Sequence, residues 1–179
     1  MYGVVAGSFG TYPMTPEIGP VLSHILHPGL WCGDGPTLGR ATRLLTVRAM
    51  ETSAALHLPI EAAREMMAAD PEAARSIGLI GLNGMRVAIL NVLHLTIRRV
   101  DRRIGATLLR VTGAMDGETL EVTGDIRLTQ TEIARMANAS RNGVNRSLAQ
   151  FEAAGWVRLG YNRIAILDPH ALAAFAFAR

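Results

Sequence analysis

Residues Leu128–Val157 read LTQTEIARMANASRNGVNRSLAQFEAAGWV, and the spacing of caps, apolar residues and turn residues predicts two short helices joined by a sharp turn. Thr129 is the expected N-cap of the first helix. Glu132, three residues on, is placed to reach back to the Thr129 amide and complete a capping box. Ile133, Ala134 and Ala137 share one side of this helix. Asn138 ends it, because after glycine asparagine best tolerates the left-handed backbone of a tight turn. Ser140 is the expected N-cap of the second helix. Val144, Leu148 and Phe151 recur at helical spacing as its buried stripe, and Gly155 terminates it.

The opposite face of the second helix carries Arg141, Asn142, Asn145 and Arg146. Arginine can grip the two acceptors of guanine as a fork, and asparagine can pair with the acceptor and donor of adenine, so these four are candidate base readers in a DNA major groove. Trp156–Leu159 and Arg163–Leu167 read as two strands joined by Gly160-Tyr161-Asn162, a hairpin wing. Thr129, Gln130, Thr131 and Ser140 at the helix starts, with Arg158 and Arg163 beside the wing turn, are candidate phosphate contacts. An ordinary helical hairpin with a solvated arginine face is the competing reading. Cap, turn residue, buried stripe and wing together favour a winged helix-turn-helix.

Within the stretch, Ser140-Arg141-Asn142-Gly143-Val144-Asn145-Arg146 is similar to the recognition-helix signature of the Crp/Fnr family of bacterial transcription regulators, usually Ser-Arg-Glu-Thr-Val-x-Arg. Arg141 and Arg146 match. Asn142 departs from the usual glutamate, so the family's half-site sequence does not carry over. The resemblance implies a homodimer bound to a palindromic promoter site in double-stranded DNA, with RNA polymerase as a further partner.

Upstream, Met1 to about Pro59 is rich in Gly and Pro between short apolar pieces at Gly3–Ala6, Val21–Leu26 and Leu44–Met50, which predicts several short antiparallel strands. His27-Pro-Gly-Leu-Trp31-Cys-Gly-Asp34, followed by Arg43-Leu-Leu-Thr-Val-Arg-Ala49, resembles the effector-binding β-roll of the same family. By that resemblance Gly33, Asp34, Arg43 and Leu44 form an effector-pocket-like set: Arg43 matches the phosphate-binding arginine, and Asp34 stands near the acidic residue that holds a ribose. Leu44 stands where the family has a phosphate-binding hydroxyl. Ala88 and Ile89 fall where cyclic-AMP-binding members have hydroxyl residues against the adenine. The implied effector is unknown and is not cyclic AMP. Tyr2-Gly-Val-Val-Ala-Gly matches a strand well inside the family's roll, so the expectation is a roll lacking its first strands.

Between these regions, Pro59–Ala69 predicts a short helix stopped before Pro71, and a second short helix leads to Gly84. Met85 to about Arg99 predicts a long helix with Met85, Ile89, Val92 and Thr96 on one side and Leu90, Leu93 and Ile97 on another. Two apolar sides call for two partners: the roll and a second copy of the chain, or the core of a monomer. Asp101 is the expected cap of a helix running through Arg110. Ala114–Glu118 predicts a loop, Leu120–Leu128 a small sheet, and Asp168-Pro169 the start of a C-terminal helix over Ala171–Ala178.

All 18 basic side chains are arginine. Residues 1–97 hold six Arg and seven acids, net −1, whereas residues 98–179 hold twelve Arg and eight acids, net +4. The positive half is the one that carries the helix-turn-helix, as a polyanionic partner requires. A single cysteine, Cys32, precludes an intrachain disulfide and a multi-cysteine iron–sulfur or metal site. His24, His27 and His57 have no spacing that fixes a metal geometry and are expected at the surface, and no acid, base and nucleophile set stands out. The expectation is therefore no enzyme, no metal, no cofactor, no membrane span, and residence in the cytoplasm. The fold class is α+β: a partial β-roll of the cyclic-nucleotide-binding jelly-roll type with connector helices over 1–84, a long dimerisation helix over 85–99, and a winged helix-turn-helix over 100–179. The rival function is a sensor or protein-interaction module whose helix-turn-helix is vestigial.

Overall fold

A computed structural model describes residues 1–14, 16–39, 43, 45–113 and 125–178. It divides into two compact units, Met1–Pro20 with Leu26–Ile89, and Val21–Ile25 with Leu90–Arg179.

The short apolar pieces of the first unit form strands β1 (Tyr2–Ala6), β2 (Phe9–Pro13), β3 (His24–Leu26, whose first two residues belong to the second unit), β4 (Trp31–Cys32), β5 (Leu45–Ala49) and β6 (Ala54–His57). One sheet has the order β4-β1-β6, with Tyr2 opposite Cys32 on one side and His57 on the other. β2 pairs antiparallel with β5 from Phe9↔Ala49 to Pro13↔Leu45. Gly3 is required in β1, since a Cβ there would lie 2.5 Å from the Trp31 indole that crosses it. A short helix, α1 (Asp34–Leu38), follows Gly33, whose φ of 90° suits glycine. Arg64 holds it, donating to the carbonyls of Pro36 at 3.0 Å and Gly39 at 3.3 Å.

Helix α2 (Ile60–Ala69) stops before Pro71 as expected. The next element corrects the sequence reading: α3 is one helix of 25 residues, Pro71–Leu95, with no break before Met85. Gly78 and Gly84 each cost a helix about 1 kcal/mol against alanine, too little to interrupt a run free of proline. At Gly81 the missing side chain also lets α1 approach, for a Cβ would lie 3.1 Å from Asp34 Oδ2. The helix ends at Leu95 rather than Arg99. There the N–H groups of Thr96 and Ile97 turn back to the carbonyls of Leu93 and His94 at 3.0 and 3.1 Å, and the Thr96 hydroxyl also donates to Leu93. Met1, Ala63 and Ile77 form a buried cluster, against which Trp31, Leu58, Met67 and Ile80 pack.

The second unit contains α4 (Val100–Val111), β7 (Ile126–Arg127), α5 (Gln130–Met136), α6 (Arg141–Ala153), β8 (Val157–Gly160), β9 (Arg163–Ile166) and α7 (Pro169–Ala176). Asp101 does not cap α4. Arg99 holds the N-cap position, and Asp101 instead pairs with Arg99 at 2.5 Å from within the first turn. The expected loop at 114–118, and the expected sheet residues before Asp125, lie outside the described residues. Ile126–Arg127 joins the wing sheet, ordered β7-β9-β8. The core is built on Ile104, Leu108, Leu109, Ile133, Val144, Leu148, Phe151 and Leu172, all at most 1% exposed. Phe151 meets the rings of Trp156 at 5.8 Å and Phe175 at 5.6 Å, so α7 closes over the helix pair.

An arginine and two histidines are among the polar side chains buried in this unit. Arg110 is 2% exposed and donates to the Ser23 carbonyl at 2.7 Å. His94, in the last turn of α3, is buried beside the Phe177 ring at 5.5 Å. Burial, reinforced by the nearby Arg110 charge, lowers its pKa to about 4, so the imidazole is neutral at pH 7. His24 is buried too, as is His27 in the first unit. This corrects the expectation of surface histidines. His57 is exposed and stacks on Tyr2 at 4.8 Å.

Candidate nucleic-acid interface

The N-cap of α5 is Thr129, whose hydroxyl accepts the Glu132 N–H at 3.2 Å while the Glu132 carboxylate accepts the Thr129 N–H at 2.8 Å. The capping box read from the sequence is therefore present. Asn138, at φ 45°, makes the turn. Ser140 caps α6 by accepting the Gly143 N–H at 3.1 Å, and Gly155, at φ 74°, follows its end.

The two faces of α6 separate as its sequence predicts. Gly143, Val144, Ser147, Leu148 and Phe151 are buried, and Arg141, Asn142, Asn145 and Arg146 are all exposed. Within one and a half turns of the helix start, four side chains able to read base edges thus stand side by side. Asn142, Asn145 and Arg146 line one shallow depression together with Ala149. Arg141 lines a neighbouring groove of about 450 Å³ with Thr129, Gln130 and Thr131 of the α5 start and Tyr161, Asn162 and Arg163 of the wing. Of the candidate phosphate contacts, Thr129, Gln130, Thr131 and Arg163 are therefore brought together beside Arg141, whereas Ser140 and Arg158 are not part of that lining.

The wing departs from expectation in two ways. Its turn is the two residues Tyr161 and Asn162, since Gly160 pairs with Arg163. Arg158 does not stand free: its Nη2 lies 3.0 Å from Asp125 Oδ1 in an exposed ion pair, and Arg163 donates to the Asp125 carbonyl at 3.2 Å. Tyr161, which sequence reasoning treats only as a turn residue, is 94% exposed at the wing tip. The tip is fixed beside α5, because the Leu128 N–H donates to the Asn162 carbonyl at 3.0 Å. Its position in a turn is legible in the sequence; its exposure beside Gln130 and Thr131 is not.

The effector-pocket-like residues are in the first unit. Gly33 precedes α1, Asp34 begins it with its carboxylate against Gly81, and Leu44 lies outside the described residues. The Arg43 guanidinium sits over the Tyr2 ring, 5.7 Å from its centroid. On α3, Met85, Ile89 and Val92 are more than half exposed, as are Leu82 and Leu93. Thr96 falls beyond the helix, so it does not continue that stripe. By length and composition α3 is also long and apolar enough to cross a membrane.

A family model described as a Crp-like helix-turn-helix domain matches residues 102–175. The chain is similar over nearly its whole length to the CRP-like cAMP-activated global transcriptional regulator of Mycobacterium tuberculosis (strain ATCC 25618 / H37Rv). The two are 30% identical over 182 residues, which cover 97% of this chain and 78% of the relative. The HTH-type transcriptional regulator Cmr of Mycobacterium tuberculosis (strain CDC 1551 / Oshkosh) is 29% identical over 153 residues, 86% of this chain and 59% of that protein. Among solved structures, FixK2 from Bradyrhizobium japonicum matches with a TM-score of 0.75 at 18% identity, covering 99% of this chain and 87% of that one. A CRP-family transcriptional regulator from Thermus thermophilus matches at 0.69 and 23%, covering 98% and 86%. These structural likenesses establish the fold. The sequence matches establish that the chain belongs to the Crp/Fnr family of transcription regulators.

Proposed function

We propose that this regulator binds a palindromic promoter site as a homodimer, with Arg141, Asn142, Asn145 and Arg146 reading bases and Thr129, Gln130, Thr131, Ser140 and Arg163 meeting phosphates. The observation that carries this reading is the face of α6: four exposed fork and amide side chains in its first turn and a half, above a stripe that is wholly buried. Arg158 contributes less than Arg163, because Asp125 already compensates its charge. RNA polymerase is the proposed protein partner and the cytoplasm the proposed compartment. The test is binding to duplex DNA across a salt series. A log–log slope of about −0.9 for each neutralised phosphate is expected; salt-independent binding, or none, contradicts the reading.

The dimer seam is assigned to α3. Leu82, Met85, Ile89 and Val92 recur at spacings of three and four, the a/d pattern of a coiled coil, and each is more than half exposed. A membrane would also cover such a helix, but Arg75 and Arg86 interrupt it with charge. The Mycobacterium tuberculosis relative is a cAMP-activated regulator by name. For this chain the reading is that cyclic AMP is not the effector, although Arg43 keeps the family's position: Leu44 has no hydroxyl, and Ala88 and Ile89 offer adenine no donor. At about 1–1.5 kcal/mol for each of three missing contacts, affinity falls by two to three decades. Titration calorimetry decides it: micromolar binding that tightens DNA binding contradicts the reading.

A further inference from the structure

We propose that Arg103 is the positioning residue that ties the turn of the helix-turn-helix to the end of α3, and so holds each recognition helix at its spacing in the dimer. The inference rests on the reading above that two copies bind two half-sites.

Arg103 lies in the first turn of α4, and its side chain bonds to main chain rather than to a carboxylate. Its three donor nitrogens go to three carbonyls: Nε to Ala137 at 2.6 Å, Nη2 to Asn138 at 3.0 Å, and Nη1 to Ile97 at 2.6 Å. Ala137 and Asn138 form the exit of α5, where helix carbonyls lack intrahelical partners and the helix dipole presents its negative end. Asn138 also holds the left-handed backbone, φ 45°, that makes the sharp turn out of α5. Ile97 lies in the turn that ends α3. One planar fork therefore grips the exits of two helices at once, a geometry open to a guanidinium and closed to a single ammonium.

A second contact reaches the recognition helix from the same turn of α4. A Cβ at Gly143, in the first turn of α6, would lie 3.6 Å from Val100 Cγ1. The start of α4 thus touches the end of α3, the turn before α6 and α6 itself, all inside the second unit. Any movement of the end of α3 is passed to the reading helix through a guanidinium engaged at all three of its nitrogens, rather than through the solvent-exposed linker Arg98–Arg99.

The test uses the full chain and its Arg103→Lys and Arg103→Gln variants, with thermal melts to show that each is folded. Each is titrated against a single half-site duplex and against palindromes whose centre-to-centre spacing changes in single base pairs. For both variants the expected result is half-site affinity close to wild type, with the preference for one spacing reduced about tenfold, the factor for losing a charged hydrogen bond of about 1.4 kcal/mol. An unchanged spacing preference overturns the proposal. So does an equal loss on the half-site and on every palindrome, the signature of a merely structural role.

Amide exchange without DNA is the second measurement, on whichever variant folds. Loss of protection at Ile97 and Ala139 together supports the clamp, and loss at one alone overturns it. Wild type that binds no duplex at all would overturn the proposed function, while the exchange result would still decide the clamp.

Discussion

The hydroxyl of Ser140 accepts the Gly143 N–H at 3.1 Å, and a Cβ at Gly143 would lie only 3.3 Å from that same oxygen. The cap that starts α6 and the residue one turn into it are therefore fitted to each other at the point where Arg141 and Asn142 emerge. Ser140→Ala is expected to lower stability by about 1 kcal/mol, the usual cost of a lost cap. It should also weaken binding to the preferred duplex, because a frayed first turn no longer holds Arg141. Chemical denaturation and a duplex titration check the two effects. Unchanged stability would show that the cap contributes nothing.

Charge in the wing should act differently from charge on α6. Arg141→Ala and Arg146→Ala are each expected to cost about 1–3 kcal/mol on the preferred site and less on random DNA. Arg163→Ala should lower affinity on all sequences and flatten the salt slope by roughly 0.9. Because Asp125 lies 3.0 Å from Arg158, Asp125→Ala should strengthen binding on all sequences by releasing that guanidinium. Titrations at several salt concentrations separate these outcomes, and weaker binding by Asp125→Ala would show that the ion pair positions the wing.

The α3 seam gives a sharper test. Ile89 and Val92 are 52% and 64% exposed, so an aspartate at either position has water around it in the single chain and loses it only when a second copy covers the helix. Ile89→Asp and Val92→Asp are expected to leave the melting temperature of the isolated chain nearly unchanged. Association should weaken by several kcal/mol, the order of the cost of burying an unpaired charge. Sedimentation at micromolar concentration reads this directly. A wild type that is monomeric there, yet binds a palindrome tightly, contradicts the seam.

Much of the helix-turn-helix is legible because its signals are local. Thr129 with Glu132, Asn138, Ser140, Gly155 and Asp168 with Pro169 each act over three or four residues, and each stands in the structure where that chemistry puts it. What sequence does not reveal depends on partners far away in the chain. Arg103 meets Asn138 across 35 residues and Arg158 meets Asp125 across 33, and no spacing rule anticipates either. The unbroken α3 escapes sequence reasoning for another reason: Gly84 reads as a stop, whereas a glycine only lowers helix stability, and the one at Gly81 makes room for Asp34. The burial of His24 and His27 is hidden because a short strand or turn shows its covered side only after folding.

The His94 imidazole provides a pH test of the second unit. Its folded pKa, about 4, lies below the ordinary 6.5 because burial and then the Arg110 charge disfavour the cation. The unfolded chain therefore binds a proton between these values while the folded chain does not. The stability contributed by the neutral side chain is complete above pH 6.5 and is lost as pH falls towards 4. About 2–3 kcal/mol should disappear over that window, at about 1.36 kcal/mol per unit. Denaturation of wild type and His94→Gln at about pH 7 and at about pH 4.5, on either side of most of the window, isolates this share. Parallel losses in the two proteins would exclude His94 as its source.

Selection of bound duplexes from a random pool by the full chain addresses function and assembly at once. The expected outcome is enrichment of an inverted repeat whose two halves lie roughly 10–10.5 base pairs apart or a multiple of that distance, lost in Arg146→Ala. No enrichment over the starting pool, or enrichment of a single half-site without its inverted partner, would contradict dimeric reading of DNA by α6.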